Sequence, residues 1–84
     1  MSFFVYILFS DKLNRFYIGS CQDIEIRLKE HLWKHTGFTA KAKDWKLVYS
    51  EQQPSKSLAL QREKKIKNWK SRIMIMKLID NSNA

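Results

Sequence analysis

Seven consecutive apolar residues, Phe3–Phe9, constrain the fold more than any other feature of the sequence. The segment is rich in aromatic and β-branched residues, which favour strands. Because neither face of such a strand carries a polar residue, it is predicted to be a central strand that is covered on both sides. Seven residues are also far too few to cross a bilayer, so no membrane is expected as a partner.

The residues that follow predict a hairpin and then a helix. A polar turn at residues 10–15 leads to a returning strand, Phe16–Ser20, in which Gly19 is expected to end the strand. Asp23 is the expected N-cap of the helix, since its carboxylate can accept hydrogen bonds from free amides of the first turn. Every fourth residue of this helix is apolar and marks its core face: Ile24, Leu28 and Leu32.

The second half of the chain predicts one more strand and two more helices. An exposed loop, Thr36–Asp44, precedes a third strand, Trp45–Glu51. Ser55 and Ser71 are the expected N-caps of the two helices, and residues 81–84 are expected to fray. The face of the second helix that packs on the sheet is predicted to consist of Ala59, Ile66 and Trp69.

These elements define an α+β domain. The predicted order is β-β-α-β-α-α, and a short turn between two strands makes them antiparallel. The expected architecture is a small three-stranded antiparallel sheet flanked by helices, in one domain that spans residues 1–84. A chain of this length buries a single small core.

The charge of the chain indicates a polyanionic partner. Sixteen lysines and arginines against eight acidic residues give a net charge of +8, which attracts nucleic acid first and anionic membranes second. A basic protein without a nucleic-acid role is the alternative. The chain has one cysteine, Cys21, which excludes an intrachain disulfide and, with no signal peptide expected, favours a cytoplasmic location.

Two short motifs and the residues after them resemble a known family. The VYI and YIG tripeptides place two tyrosines eleven residues apart, and an arginine, a histidine and, much later, a glutamate follow in order. The ordered set resembles the GIY-YIG nuclease domain, in its small stand-alone bacterial branch, over roughly Phe3–Ile79. By this resemblance the catalytic residues are Tyr6, Tyr17, Arg27, His31 and Glu63, and Glu63 is the metal ligand.

Two positions depart from the family pattern. Val5 stands at the first glycine of GIY, as is usual in the small branch, and Ser20 stands where some branches have a lysine. A mechanism that needs a lysine directly after YIG is therefore weakened. The five catalytic candidates are unaffected.

The chemistry of the candidates agrees with phosphodiester hydrolysis. Arg27 can donate two parallel hydrogen bonds to a phosphate. Glu63 is a hard oxygen ligand that suits one Mg²⁺ or Mn²⁺ ion. A tyrosine with its ordinary pKa of about 10 can take a proton from water only if its pKa falls, and the metal ion, Arg27 and the basic field are expected to lower it. Which of Tyr6, Tyr17 and His31 is the base stays open, with a tyrosine favoured and His31 assisting.

Two functions from different classes are therefore weighed. The first is a metal-dependent endonuclease that acts on DNA with low sequence specificity or in a structure-dependent manner, and the alternative is a nucleic-acid-binding module with little or no cleavage. Taken singly, each candidate also has an ordinary structural role: the tyrosines as core aromatics, and Glu63 as an ion-pair partner of Lys67. The lysines predicted to contact nucleic acid are Lys41, Lys43, Lys64 and Lys67.

Overall fold

The computed structural model describes residues 2–33 and 43–82, except for the side chains of residues 30–33 and 82. The elements in chain order are β1 (Phe3–Ser10), β2 (Arg15–Cys21), α1 (Ile24–Trp33), β3 (Lys46–Gln53), α2 (Lys56–Asn68) and α3 (Arg72–Ser82). The predicted order β-β-α-β-α-α and the α+β class are confirmed.

The three strands form an antiparallel sheet in the order β2-β1-β3. The apolar segment is therefore the central strand, as predicted, and its Val5, Ile7 and Leu8 are fully buried. Tyr6 pairs with Gly19 on one side and with Ser50 on the other. In a strand that is buried on both faces, every side chain adds to stability, and each large apolar one contributes roughly 1.5–3 kcal/mol.

Helices cover both faces of the sheet because successive side chains of a strand point in opposite directions. On one face, Val5 and Ile7 pack with Ala59 and Ile66 of α2 and with Ile75 of α3. On the other face, the core cluster consists of Tyr6, Leu8, Cys21 and Trp45, with Ile24 and Leu28 of α1 packed against it. The apolar faces predicted for α1 and α2 are confirmed for every described side chain.

Each helix begins at the predicted cap. The Asp23 carboxylate accepts a hydrogen bond from the Ile26 N–H at 3.1 Å. The Ser55 hydroxyl accepts one from the Leu58 N–H at 3.2 Å, and Ser71 plays the same part for α3. A cap of this kind stabilises a helix by about 0.5–2 kcal/mol, and it fixes the residue at which each helix begins.

Three boundary predictions need correction. Gly19 lies inside β2 and does not end it, because pairing with β1 continues to Cys21. The last helix continues to Ser82, so the predicted fraying at residues 81 and 82 is wrong. Trp45 is a buried residue just before β3 rather than its first residue. The predicted loop lies largely outside the described residues, since only Lys43 and Asp44 of it are described.

Within the described ranges, none of the helices is both long and apolar enough to span a membrane.

Candidate active site

Tyr6 and Tyr17 lie side by side on the face of the sheet that α1 covers. Tyr6 is opposite Gly19, and Tyr17 is opposite Leu8. The two tyrosines are therefore diagonal neighbours on adjacent strands. Their ring centroids are 6.4 Å apart at an interplanar angle of 35°. Tyr6 is 3% exposed, whereas Tyr17 is partly buried and meets the ring of Trp45 edge-on at 6.3 Å.

Gly19 makes room for the Tyr6 ring, and the sequence analysis missed this role. A Cβ atom at Gly19 would lie 2.5 Å from Tyr6 Oη and 3.2 Å from Tyr17 Cε1. Both distances are shorter than a van der Waals contact, so a side chain here would displace the tyrosine. A glycine in the interior of a strand often marks such a close approach, and this was the signal available in the sequence.

Arg27 lies one turn into α1 and is exposed to solvent. Its guanidinium lines a cleft of about 440 Å³ between the beginnings of α1 and α2, together with Lys56, Asp23 and Ser20. We call this the arginine cleft. The positive charge of Arg27 lowers the pKa of Tyr6, although it is not the largest influence on that group.

Glu63 lies in the middle of α2 and is partly buried. Its side chain is 19% exposed, and one carboxylate oxygen pairs with Lys67 Nζ at 2.7 Å. This i, i+4 ion pair is the structural role that the sequence predicts for Glu63 as the alternative to catalysis. The negative charge of Glu63 also helps to raise the pKa of Tyr6, which shows that the carboxylate lies within electrostatic reach of the tyrosine.

Burial raises the pKa of Tyr6 above its usual range, and the neighbouring Tyr17 raises it further. Arg27 acts in the opposite direction but does not outweigh burial. The expected lowering of the pKa by Arg27 is therefore present at Tyr6, but the net pKa is raised because a buried phenolate loses its hydration. Tyr6 is a neutral hydroxyl at physiological pH. Burial likewise raises the pKa of the Cys21 thiol, as expected of an inert cysteine.

The other predicted residues lie in different surroundings. The backbone of His31 is in α1, one turn beyond Arg27, but its side chain is outside the described residues, and so is all of Lys41. Lys43 is exposed just before β3. Lys64 is also exposed, in a shallow depression on α2 whose lining does not include Glu63. Of the predicted site residues, the structure thus groups Tyr6, Tyr17, Arg27 and Glu63 with Lys67.

The donor set suits a magnesium-like ion. Among the described residues there is no group of three or more His, Cys, Asp and Glu side chains that could hold a metal, so a closed zinc or calcium site is not formed there. Mg²⁺ is commonly held by one or two carboxylates while it keeps several waters and binds substrate phosphates. Glu63, partly exposed and with one lysine partner, fits that pattern.

The fold and the site define a known class of protein. The sequence model of the GIY-YIG catalytic domain matches residues 2–78, and the chain belongs to this family. It is similar to a solution NMR structure, that of the UPF0213 protein BH0048 from Bacillus halodurans, with 28% sequence identity and a TM-score of 0.59. The match covers 95% of this chain and 84% of that one. A search of curated proteins finds no significant match.

Proposed function

We propose that this protein, as a single domain, is a metal-dependent endonuclease that hydrolyses phosphodiester bonds in nucleic acid, with DNA as the preferred substrate. The observation that carries the proposal is that Tyr17, Arg27 and Glu63 all lie within electrostatic reach of Tyr6, in a chain that matches the GIY-YIG catalytic domain. Little surface remains to read bases, so the proposed enzyme has low sequence specificity or depends on the shape of its substrate.

Arg27 is the proposed phosphate ligand. Its guanidinium is exposed in the arginine cleft, where Lys56 supplies a second positive charge. A planar guanidinium can bind two phosphate oxygens at once, and it stabilises the charge that builds up on them during hydrolysis. Together, Arg27 and Lys56 make the cleft attractive to an anionic backbone.

Glu63 is the proposed ligand of a single Mg²⁺ or Mn²⁺ ion. When bound, such an ion supplies positive charge that polarises the phosphate and stabilises the leaving oxygen. Lys67 now pairs with the Glu63 carboxylate, and its exposed side chain is long enough to turn toward a phosphate instead. Lys67 therefore keeps its proposed role as a nucleic-acid contact.

Tyr17 is the better candidate than Tyr6 for taking the proton from the attacking water. Tyr6 is buried and its pKa is raised, so its hydroxyl suits hydrogen-bond donation to a phosphate oxygen. Tyr17 is less buried, and the centroid of its ring is 6.4 Å from that of Tyr6. The assisting role of His31 stays a prediction.

The test is cleavage of supercoiled plasmid and of branched or flapped DNA, with Mg²⁺, with Mn²⁺ and with EDTA. Wild type, Glu63→Ala and Glu25→Ala would be purified identically. Glu25 is an exposed glutamate in the first turn of α1, so its variant controls for the loss of one negative charge. We expect metal-dependent cutting by wild type and Glu25→Ala, and none by Glu63→Ala. Equal cutting by all three proteins would contradict the proposal.

The second candidate is a nucleic-acid-binding module that keeps the fold without cleavage. Ser20, which replaces the lysine of some branches, favours it, because Ser20 lines the arginine cleft and supplies no charge there. Such a module would bind DNA equally well with and without Mg²⁺. It would also be indifferent to Glu63→Ala.

A further inference from the structure

A second depression, of about 540 Å³, lies along β2 and α2 on the far side of Glu63 from the arginine cleft. We call it the basic groove, and its charged lining consists of Arg15, Lys67, Lys70 and Arg72. None of the described residues that line it is acidic. Lys67 pairs with Glu63, and the other three cations give the concave surface a positive charge that attracts anions.

The two depressions occupy opposite ends of the same two elements. On β2, Ser20 lines the arginine cleft and Phe16 lines the basic groove, a separation of about 13 Å at 3.3 Å per residue. On α2, Ala59 lines the cleft and Ile66 lines the groove, about 10 Å apart at 1.5 Å per residue. Glu63 is midway between those two helical residues. The cleft and the groove are therefore about 10–13 Å apart along these two elements.

Arg72 is held in place at the wall of the basic groove. Its two terminal nitrogens donate to the backbone and side-chain oxygens of Asn14 at 2.9 and 2.6 Å. Its guanidinium also lies over the rings of Phe16 and Phe9, at 5.3 and 5.8 Å from their centroids. A cation that is already positioned loses little conformational entropy when an anion binds.

Lys70 occupies a backbone position that favours glycine. Its φ is 50°, just after the end of α2, where a residue without a Cβ is normally preferred. Asn14, with φ 53°, is the other non-glycine residue with positive φ among those described, and it lines the same groove. A lysine retained at a strained position suggests that its charge has a use there. Neither Lys70 nor Arg15 forms an ion pair with another described residue.

We propose that the basic groove binds a backbone phosphate of the substrate strand, a few nucleotides from the phosphate at Arg27. The proposal rests on the proposed function, because it assumes that nucleic acid occupies the arginine cleft. Arg72 is the fixed cation of this subsite, and Arg15 and Lys70 are its mobile cations. The subsite holds the strand in line along the β2 edge without reading its bases.

The test measures binding rather than cleavage. A labelled oligonucleotide would be titrated in EDTA at several salt concentrations and followed by fluorescence anisotropy. The proteins are wild type, Arg15→Gln, Lys70→Gly and the control Lys65→Gln. Lys65 is exposed on α2 and lines neither the groove nor the cleft, so its variant removes the same charge at a different place.

We expect Arg15→Gln and Lys70→Gly each to weaken binding about fivefold at physiological salt. Each should also reduce the slope of log K against log salt by about 0.7–0.9, the value for one lost phosphate contact. Lys65→Gln should change the slope by much less. Because glycine removes the strain at position 70, Lys70→Gly should melt at the same temperature as wild type or higher. A loss of affinity with that melting behaviour cannot come from a damaged fold.

The outcomes separate the two proposals. If the groove variants bind like Lys65→Gln while wild type cleaves DNA, the groove proposal is overturned and the proposed function stands. If wild type neither binds nor cleaves nucleic acid, the proposed function fails and the groove proposal fails with it.

Discussion

Two glutamates, Glu51 in β3 and Glu63 in α2, have nearly the same burial and very different partners. The Glu51 side chain is 17% exposed and that of Glu63 is 19% exposed. Both oxygens of Glu51 accept from Arg62 Nε at 3.1 Å, and Tyr49 donates to one of them at 2.8 Å. Gln53 donates as well. Among the described residues, the side-chain partner of Glu63 is Lys67 alone. The comparison shows that burial alone does not tell a structural carboxylate from one that can change partners.

The partners also differ in how firmly they are held. Arg62 packs over the ring of Trp69 at 5.7 Å, so its guanidinium is held by both the ring and the Glu51 carboxylate. Lys67 is a flexible side chain, 48% exposed, and an i, i+4 pair of this kind contributes only about 0.3–0.5 kcal/mol. Glu51 therefore stabilises the contact between β3 and α2. Glu63 can exchange its lysine for a metal ion at small cost.

The largest expected effect comes from the matched substitutions Glu63→Gln and Glu51→Gln. Glu63→Gln should reduce cleavage about a hundredfold or more, with the free energy of unfolding in urea little changed. Glu51→Gln should do the reverse, because it leaves Arg62 without its carboxylate: the free energy of unfolding should fall by about 1–3 kcal/mol, with cleavage per folded molecule kept. If Glu63→Gln destabilised the protein as much as Glu51→Gln, the distinction between them would be lost.

A second prediction concerns the space around Tyr6, one of the residues grouped with Glu63 in the candidate site. Gly19→Ala places a methyl group within 2.5 Å of Tyr6 Oη, so the ring must move. The free energy of unfolding should fall by about 1–3 kcal/mol, and cleavage should fall at least about tenfold, since small displacements of catalytic groups are costly. In a Tyr6→Phe background, Gly19→Ala should destabilise less, because the nearest atom is gone. An equal loss in both backgrounds would show that the hydroxyl is not the obstacle.

A third prediction compares two tyrosines through alkaline stability. Burial raises the pKa of Tyr6 above 10, so above pH 10 the unfolded chain loses this proton while the folded chain keeps it. Stability from the neutral hydroxyl is therefore complete below pH 10 and is lost as pH rises, by about 1.4 kcal/mol for each pH unit. Tyr6→Phe should flatten the alkaline limb of a plot of unfolding free energy against pH. The pKa of Tyr49 is also raised, by burial and by its hydrogen bond to Glu51, so Tyr49→Phe should flatten the same limb.

Only Tyr6→Phe is expected to reduce cleavage as well, because Tyr49 belongs to the Glu51 network. A matching loss of cleavage in Tyr49→Phe would contradict that assignment.

The smallest expected effect is on metal affinity. Lys67→Met removes the partner of the Glu63 carboxylate, so Mn²⁺ should bind about two- to threefold more tightly, as measured by calorimetry or by the electron paramagnetic resonance of free Mn²⁺. Lys65→Met removes one charge from the same helix without touching Glu63 and corrects for the general field. An equal gain in both variants would mean that the ion pair does not compete with the metal.

The sequence by itself determined the elements and their order. The apolar segment at the start of the chain, the serine and aspartate caps and the spacing of Ala59 and Ile66 act within one element, through local backbone geometry and periodicity. They therefore predicted a central strand, three helix starts and the packing face of α2. The placement of Tyr6 and Tyr17 on adjacent antiparallel strands followed from the short turn between those strands.

Only the tertiary structure decided which side chains meet across elements. The close approach of Tyr6 to Gly19 depends on strand register, and the raised pKa of Tyr6 depends on how completely the sheet and α1 exclude water. Glu51 differs from Glu63 because β3 brings it against Arg62 of α2, whereas Glu63 pairs with a lysine of its own helix. The basic groove likewise joins Arg15 to Lys70, far apart in sequence. Such contacts are set by the packing of segments that are distant in sequence. The periodicity of a single element contains no information about that packing.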